Sequence, residues 1–125
     1  MDQQLLDEFR QLLLAERKRL EALIASARRD AQEDISEEYN QAGGIAAHQA
    51  DVASDLYERE QALSLERDFE ERLHEVDHAL RKIDEGTYGV SERSGQPIPL
   101  ERLRVIPWAR FTVEEERELE RQRAL

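Results

Sequence analysis

The chain has 125 residues and a formal net charge of −11 at pH 7, and its residues are 38% charged and only 6% aromatic. This length predicts one domain, or a small domain with an extended element, and the composition excludes a large globular core. The acidic balance argues against a phosphate-binding surface, so we expect no direct sequence-specific binding of nucleic acid. It favours instead a basic groove or channel on a protein partner.

We recognise no targeting signal in the sequence. The first residues lack a basic segment followed by an apolar run, which argues against a signal peptide. No apolar stretch approaches the roughly 18 residues that a membrane span requires. The sequence contains no cysteine, which excludes a disulfide framework. We therefore expect a cytoplasmic protein that does not contact a membrane.

The first predicted element is a long helix from about residue 3 to 32, with Asp2 as its N-cap. At 1.5 Å per residue it is about 45 Å long. A narrow stripe along one face of this helix, its seam, is apolar except for Glu16. The other seam positions are apolar at a spacing of three and four residues: Leu6, Phe9, Leu13, Leu20, Leu23 and Ala27.

A second helix is predicted from about residue 54 to 85, and Gly86 suits the left-handed position that ends it. Its apolar stripe has the same coiled-coil spacing and comprises Ala62, Leu65, Phe69, Leu73, Val76, Leu80 and Ile83. Two helices of matched length with narrow seams predict that residues 1–85 form an antiparallel coiled-coil hairpin. The alternative is that the two helices form two sides of an ordinary helical bundle, which a broader apolar stripe would favour.

The remaining segments are a tip between the helices, at about residues 33–53, and a head at residues 86–125. Gly43 and Gly44 break the helix in the tip, which is otherwise acidic and by composition alone suits a solvated loop. The head ends in a short charged helix. Its predicted cluster is apolar: Tyr88, Val90, Ile98, Leu103, Ile106, Trp108 and Phe111. The expected fold class is therefore mainly all-α.

The segment from His74 to His78 reads HEVDH and matches the HExxH pattern of zinc proteases. Because Leu73, Val76 and Leu80 occupy the seam, the two histidines face outward, where no cleft surrounds them. No third ligand follows at a suitable spacing. We therefore predict no enzymatic activity.

The head carries a family resemblance. The run EGTYGVSERSGQPIPLERL, followed by IPWARFTVEE, resembles the zinc-finger region of the DksA/TraR family of RNA polymerase regulators. The resemblance continues through the second helix to HQADVA in the tip. It implies a degenerate zinc finger in which the four ligand positions of the family are occupied by Ser91, Ser94, Thr112 and Glu115.

These four residues predict a head without zinc, and without any other cofactor. Structural zinc requires thiolate or imidazole ligands, which hydroxyl groups and one carboxylate do not supply. Thr112 and Glu115 fit a capping box at the start of the last helix. The hydroxyl groups of Ser91 and Ser94 are expected to hydrogen-bond the backbone of their own turn. A partly disordered head is the alternative.

The resemblance also implies a function. It predicts a stress-related regulator that enters the secondary channel of RNA polymerase and alters the stability of promoter complexes. Asp51 and Ala53 match the family's tip, near the polymerase active site, whereas His48 stands where other members carry an acid.

Two other functions stay open. A Gre-like factor would use tip carboxylates for transcript cleavage, but Asp51 and Asp55 are four residues apart. The second open function is that of a coiled-coil interaction module that binds another partner. Binding of the alarmone ppGpp is doubtful, because polyphosphates need convergent cations. The second helix and the tail offer few cationic side chains: Arg67, Arg72, Arg117, Arg121 and Arg123.

Overall fold

The computed structural model describes the backbone of residues 1–41 and 49–125, and the side chains of residues 1–32 and 53–125. Four helices follow one another: α1 (Gln3–Gln41), α2 (Gln49–Glu85), α3 (Leu100–Val105) and α4 (Val113–Ala124). The extended pairing in these ranges is a single antiparallel bridge between Val90 and Pro97. The predicted all-α fold is confirmed. No helix in the described ranges has both the length and the apolar character of a membrane span.

Both long helices extend further than the sequence indicated. α1 continues to Gln41 instead of ending near residue 32, and α2 begins at Gln49 instead of near residue 54. Much of the predicted tip is thus helical. Its flanks are rich in glutamate, glutamine and alanine, which favour helix, and the first strong helix breaker is Gly43. The short helix α3 was not predicted at all.

The predicted ends of the hairpin helices at the head are confirmed. The Leu5 N–H donates to Asp2 Oδ1 at 2.8 Å, so Asp2 caps α1. At the end of α2, Gly86 has a φ of +78°. The N–H groups of Gly86 and Thr87 donate to the carbonyls of Ile83 (3.3 Å) and Lys82 (2.9 Å). This is a Schellman motif, which stops α2 and turns the chain into the head.

The chain divides into two compact units. Unit 1 comprises Met1–Arg17 and His74–Leu125, and unit 2 comprises Lys18–Leu73. The division differs from the predicted boundary between residues 85 and 86. The head belongs with the chain ends of both long helices, because Tyr88 packs on Phe9 of α1 with 5.6 Å between the ring centroids. Burial of these rings joins the head to α1 and α2.

Within unit 1, α1 and α2 run antiparallel. Arg10 pairs with Asp84 at 2.9 Å, and Arg17 pairs with Asp77 at 2.7 Å. Moving seven residues forward along α1 thus moves seven residues back along α2, which is the register of an antiparallel coiled coil. The buried core of this unit draws on α1, α2 and the head: Phe9, Leu13, Val76, Ala79, Ile83, Tyr88, Ile98, Leu103 and Ala109.

The head differs from its predicted cluster at one position. Val90 is 38% exposed, because it lies in the bridge with Pro97 at the surface. Tyr88, Ile98 and Leu103 are buried as predicted. The buried Tyr88 hydroxyl donates to the Pro107 carbonyl at 2.7 Å, which satisfies its polar end.

In unit 2 the seam of α2 is shifted from its predicted course. Leu65 is 50% exposed, so its assignment to the seam was wrong. Glu66 takes that place and accepts a hydrogen bond from Arg28 at 2.5 Å, while its side chain is only 16% exposed. On α1, Ile24 is buried and the predicted Leu23 is half-buried. Arg28 therefore provides the charge partner that allows a carboxylate to occupy the seam.

Candidate functional site

The four residues that the sequence predicts to form a degenerate zinc finger lie at one place in the head. Ser91 and Ser94 belong to the turn after Val90, and Thr112 and Glu115 open α4. The Ser91 hydroxyl donates to Glu115 Oε2 at 2.8 Å across a separation of 24 residues. The Ser94 N–H donates to Ser91 Oγ at 3.3 Å, and the Ser94 side chain contributes to the lowered pKa of Glu115. The structure therefore brings together all four residues that the sequence singled out.

The start of α4 has the predicted capping box. The Glu115 N–H donates to Thr112 Oγ1 at 3.3 Å, and the Thr112 N–H donates to Glu115 Oε1 at 3.1 Å. Partial desolvation raises the pKa of Glu115, but hydrogen bonds from Thr112 and Ser91 outweigh this and lower it to about 2. The carboxylate is thus the charged acceptor on which both turns converge.

The predicted local role of the two serines is also confirmed. Ser91 is 3% exposed, and its Oγ accepts hydrogen bonds from the N–H groups of Arg93 (3.1 Å) and Ser94 (3.3 Å). Ser94 Oγ accepts one from the Gln96 N–H at 3.3 Å. These contacts fix the turn, as the side chain–backbone bonds of serine commonly do.

The donor chemistry of this cluster does not fit a structural zinc ion. Tetrahedral zinc sites use thiolates and imidazoles, whereas the Ser91 hydroxyl is directed as a donor at Glu115. Within the described ranges, no group of three or more histidine, cysteine, aspartate or glutamate side chains is arranged to hold a metal ion. Ser91, Thr112 and Glu115 therefore bind one another.

The HEVDH segment of α2 has structural partners. Arg110 from the head donates to both carboxylate oxygens of Glu75, at 2.6 and 2.9 Å. Asp77 pairs with Arg17 of α1, and His78 forms a short hydrogen bond with Glu92 of the head. The segment therefore joins α2 to α1 and to the head, which is a different role from that of a zinc protease motif.

Glu92 is an organising residue that the sequence did not reveal. It lies between the two serines, and its carboxylate is next to His78, Lys82 (3.8 Å) and Arg110 (3.4 Å). Desolvation raises the pKa of Glu92, but the hydrogen bond from His78 and the charges of Lys82 and Arg110 lower it overall. Desolvation also lowers the pKa of Lys82, whose side chain is only 8% exposed.

Of the three predicted tip residues, the structure describes Ala53 fully. Ala53 lies in α2 and is exposed. His48 and the side chain of Asp51 lie outside the described residues, and the backbone of Asp51 belongs to the first turn of α2. The role of the tip thus stays a prediction.

Comparison with known proteins identifies relatives along almost the whole chain. No family model matches the sequence. The RNA polymerase-binding transcription factor DksA of Caulobacter vibrioides is 34% identical over 124 residues, which cover 98% of this chain and 80% of that protein. General stress protein 16O of Bacillus subtilis is 39% identical over 89 residues, or 70% of this chain. The uncharacterized protein YteA of the same organism is 42% identical over 74 residues.

The last two relatives are longer than the matched region. The alignment spans 55% of General stress protein 16O and 31% of YteA. The similarity to Caulobacter DksA, in contrast, extends over most of both chains.

Solved structures agree with this result. Transcription factor DksA2 from Pseudomonas aeruginosa matches with a TM-score of 0.80 and 31% identity, over 98% of this chain and 89% of that one. The RNA polymerase-binding regulator from Chlamydia trachomatis matches with a TM-score of 0.51 and 22% identity, over 98% and 94%, and shows the fold alone. With identity above 30% along nearly its full length, this chain belongs to the DksA family.

Proposed function

We propose that this protein regulates transcription by binding RNA polymerase through the secondary channel. The observation that carries the proposal is the match to a relative described as an RNA polymerase-binding transcription factor, over 98% of this chain. The likeness to the DksA2 structure, with a TM-score of 0.80, supports it. Regulation of transcription then requires no chemistry by this protein itself.

The charge and the helices are consistent with this function. α1 has 39 residues and α2 has 37, and the chain carries a net charge of −11. Acidic surfaces of this kind are steered toward basic walls, which gives specificity and fast association. The exposed Ala53 near the start of α2 permits close approach of a partner.

The tip is proposed to act on the surroundings of the polymerase active site. Asp51 supplies a carboxylate there, and its charge biases nearby mobile elements or the environment of the catalytic Mg²⁺. The lifetime of promoter complexes changes as a result. His48 and Ala53 complete the proposed site, and we expect His48 to contribute less than Asp51.

Substitution of the tip aspartate tests this mechanism. Asp51→Asn keeps the size of the side chain and its hydrogen-bonding capacity, and it removes one charge. We expect nearly unchanged affinity for polymerase but loss of the effect on promoter-complex lifetime. His48→Ala is the matched control and should lose less. If Asp51→Asn regulates as well as the parent protein, the tip mechanism is wrong.

Transcript cleavage is the outcome that separates this proposal from a Gre-like function. A backtracked complex incubated with this protein should release no more cleaved transcript than polymerase alone, because two-metal chemistry needs carboxylates that converge on one ion. Strong induced cleavage that depends on Asp51 would replace the proposed regulation with a cleavage function.

The response to ppGpp is proposed to be weak or absent. Of the cations that the sequence offers, Arg121 pairs with Glu118 at 2.5 Å within α4. The start of α4 adds three acidic residues in its first turn, Glu114, Glu115 and Glu116, which repel a polyphosphate. Promoter-complex lifetimes measured with this protein should therefore be the same with and without ppGpp. Potentiation by ppGpp would contradict the proposal.

A further inference from the structure

We infer that a bound carboxylate closes the head of this protein in place of a metal ion. In a zinc knuckle, a central cation is held by anionic ligands from two turns. Here the charges are inverted, since a central anion, the Glu115 carboxylate, is held by hydrogen-bond donors from two turns. The cluster of Ser91, Ser94, Thr112 and Glu115 is thus an anion-centred substitute for a zinc site.

The spacing of the cluster has the form of a metal site. Ser91 and Ser94 are three residues apart, as are Thr112 and Glu115, which is the two-residue gap found between paired zinc ligands. One pair lies in each turn. Glu115 has the longest side chain of the four, and its carboxylate reaches the other pair, where the Ser91 hydroxyl donates at 2.8 Å. A single group can therefore tie both turns together.

The negative charge of Glu115 strengthens the hydrogen bonds that close the head. The carboxylate accepts hydrogen bonds from the Ser91 hydroxyl and from the Thr112 N–H, and bonds to a charged acceptor are roughly twice as strong as neutral ones. It also lies in the first turn of the 12-residue helix α4, where the helix dipole favours negative charge. The low pKa of Glu115, about 2, agrees with an anion that is well solvated by these donors.

The turn that supplies the serines is rigid enough to hold its donors in place. The Ser91 N–H donates to the Gln96 carbonyl at 2.8 Å, and the Gly95 N–H donates to the Ser91 carbonyl at 2.9 Å. Gly95 has a φ of +73°, which favours glycine. The Glu92 N–H donates to the Arg110 carbonyl at 2.9 Å and joins this turn to the segment before α4. Ser91 therefore meets Glu115 at little cost in conformational entropy.

Paired alanine variants test the inference. Glu115→Ala removes the central anion, whereas Glu114→Ala removes the same charge from the same helical turn at an exposed position. Trp108 is the single tryptophan and lies in the head, so its fluorescence reports unfolding of the head. We expect Glu115→Ala to lower the melting temperature by roughly 5 °C or more, and Glu114→Ala by about 2 °C or less. Equal shifts for the two variants would overturn the inference.

Metal analysis of the parent protein provides an independent test. The purified protein, expressed in zinc-supplemented medium, should contain far less than one zinc ion per chain. Its melting temperature should be the same with and without excess EDTA. Stoichiometric zinc, or a melting temperature that falls in EDTA, would contradict a head closed by a carboxylate. Neither result depends on the proposed action on RNA polymerase.

A gain of metal binding tests the geometry. The variant Ser91→Cys, Ser94→Cys, Thr112→Cys, Glu115→Cys should bind one zinc ion per chain and should melt at a lower temperature once EDTA is added. The matched control carries the last three substitutions and retains Ser91, and it should bind zinc more weakly. If the fourfold variant binds no zinc, or stays unfolded with zinc present, the four positions do not surround one point and the inference fails.

Discussion

Unit 1 and unit 2 are built from the same two helices but are stabilised differently. In unit 1, both helices and the head contribute fully buried side chains. Leu13 of α1, Val76 of α2 and Leu103 of the head are each 0% exposed. In unit 2, α1 contributes buried Leu20 and Ile24. Residues 53–73 of α2, the part of that helix in unit 2 with described side chains, are all half-buried or exposed.

The ion pairs show the same contrast. In unit 1, Glu92 and Lys82 are 28% and 8% exposed in their side chains and lie within a network. In unit 2, Glu66 is only 16% exposed in its side chain, but its cationic partner Arg28 is 59% exposed, whereas the cation Lys82 of unit 1 is buried. Screened pairs at a surface contribute little to stability. The difference teaches that buried apolar side chains from both helices and the head stabilise unit 1, whereas in the described part of unit 2 the seam of α2 is half-buried and includes the carboxylate of Glu66.

The largest expected effect comes from leucine truncation in the two units. Leu13→Ala in unit 1 should lower the free energy of unfolding by about 3 kcal/mol, because a fully buried leucine leaves a cavity. Leu65→Ala in unit 2 should lower it by less than about 1 kcal/mol, since Leu65 is 50% exposed. Urea denaturation followed by circular dichroism measures both. Similar losses would show that unit 2 is as tightly packed as unit 1.

A smaller effect is expected from charge removal in the two ion-pair networks. Glu92→Gln leaves Lys82 partly buried beside a neutral group and should cost about 1 to 2 kcal/mol. Glu66→Gln is the matched change in unit 2 and should alter stability by no more than about 0.5 kcal/mol, because Arg28 remains hydrated. Both values come from chemical denaturation at low salt. A greater loss for Glu66→Gln than for Glu92→Gln would reverse the comparison.

The smallest expected effect is the pH dependence of the stability that Glu115 contributes. The pKa of Glu115 is about 2 in the folded protein and 4.5 in an ordinary glutamate. A lowered pKa contributes stability above pH 4.5, and this contribution is lost as the pH falls toward 2. The difference in melting temperature between the parent and Glu115→Ala should therefore shrink over that pH range. A difference that stays constant between pH 5 and pH 2 would indicate that the charge of Glu115 is not what matters.

Local sequence signals predicted three helix ends well, namely the start of α1, the end of α2 and the start of α4. Asp2, Gly86 and the pair Thr112 and Glu115 all act within a few residues of their own position. Their N-cap, Schellman motif and capping box could therefore be read from contiguous sequence, and all are confirmed. Ser91, which the family resemblance grouped with this pair, donates a hydrogen bond to Glu115.

Contacts between distant segments could not be predicted in this way. From Ala62 to Phe69, a seam can pass through either position 65 or position 66, and Arg28 on the other helix decides for Glu66. The contact between Glu92 and His78 spans 14 residues, and the one between Arg110 and Glu75 spans 35. Such pairs have no periodic signal, because they depend on how the head packs against α2.

Competitive binding to RNA polymerase tests the central claim most directly. The purified protein is incubated with polymerase, with and without an excess of a Gre-type factor that occupies the secondary channel. We predict that the protein is retained by polymerase alone and is displaced by the competitor. Retention that the competitor does not reduce, or no retention at all, would contradict binding through the secondary channel.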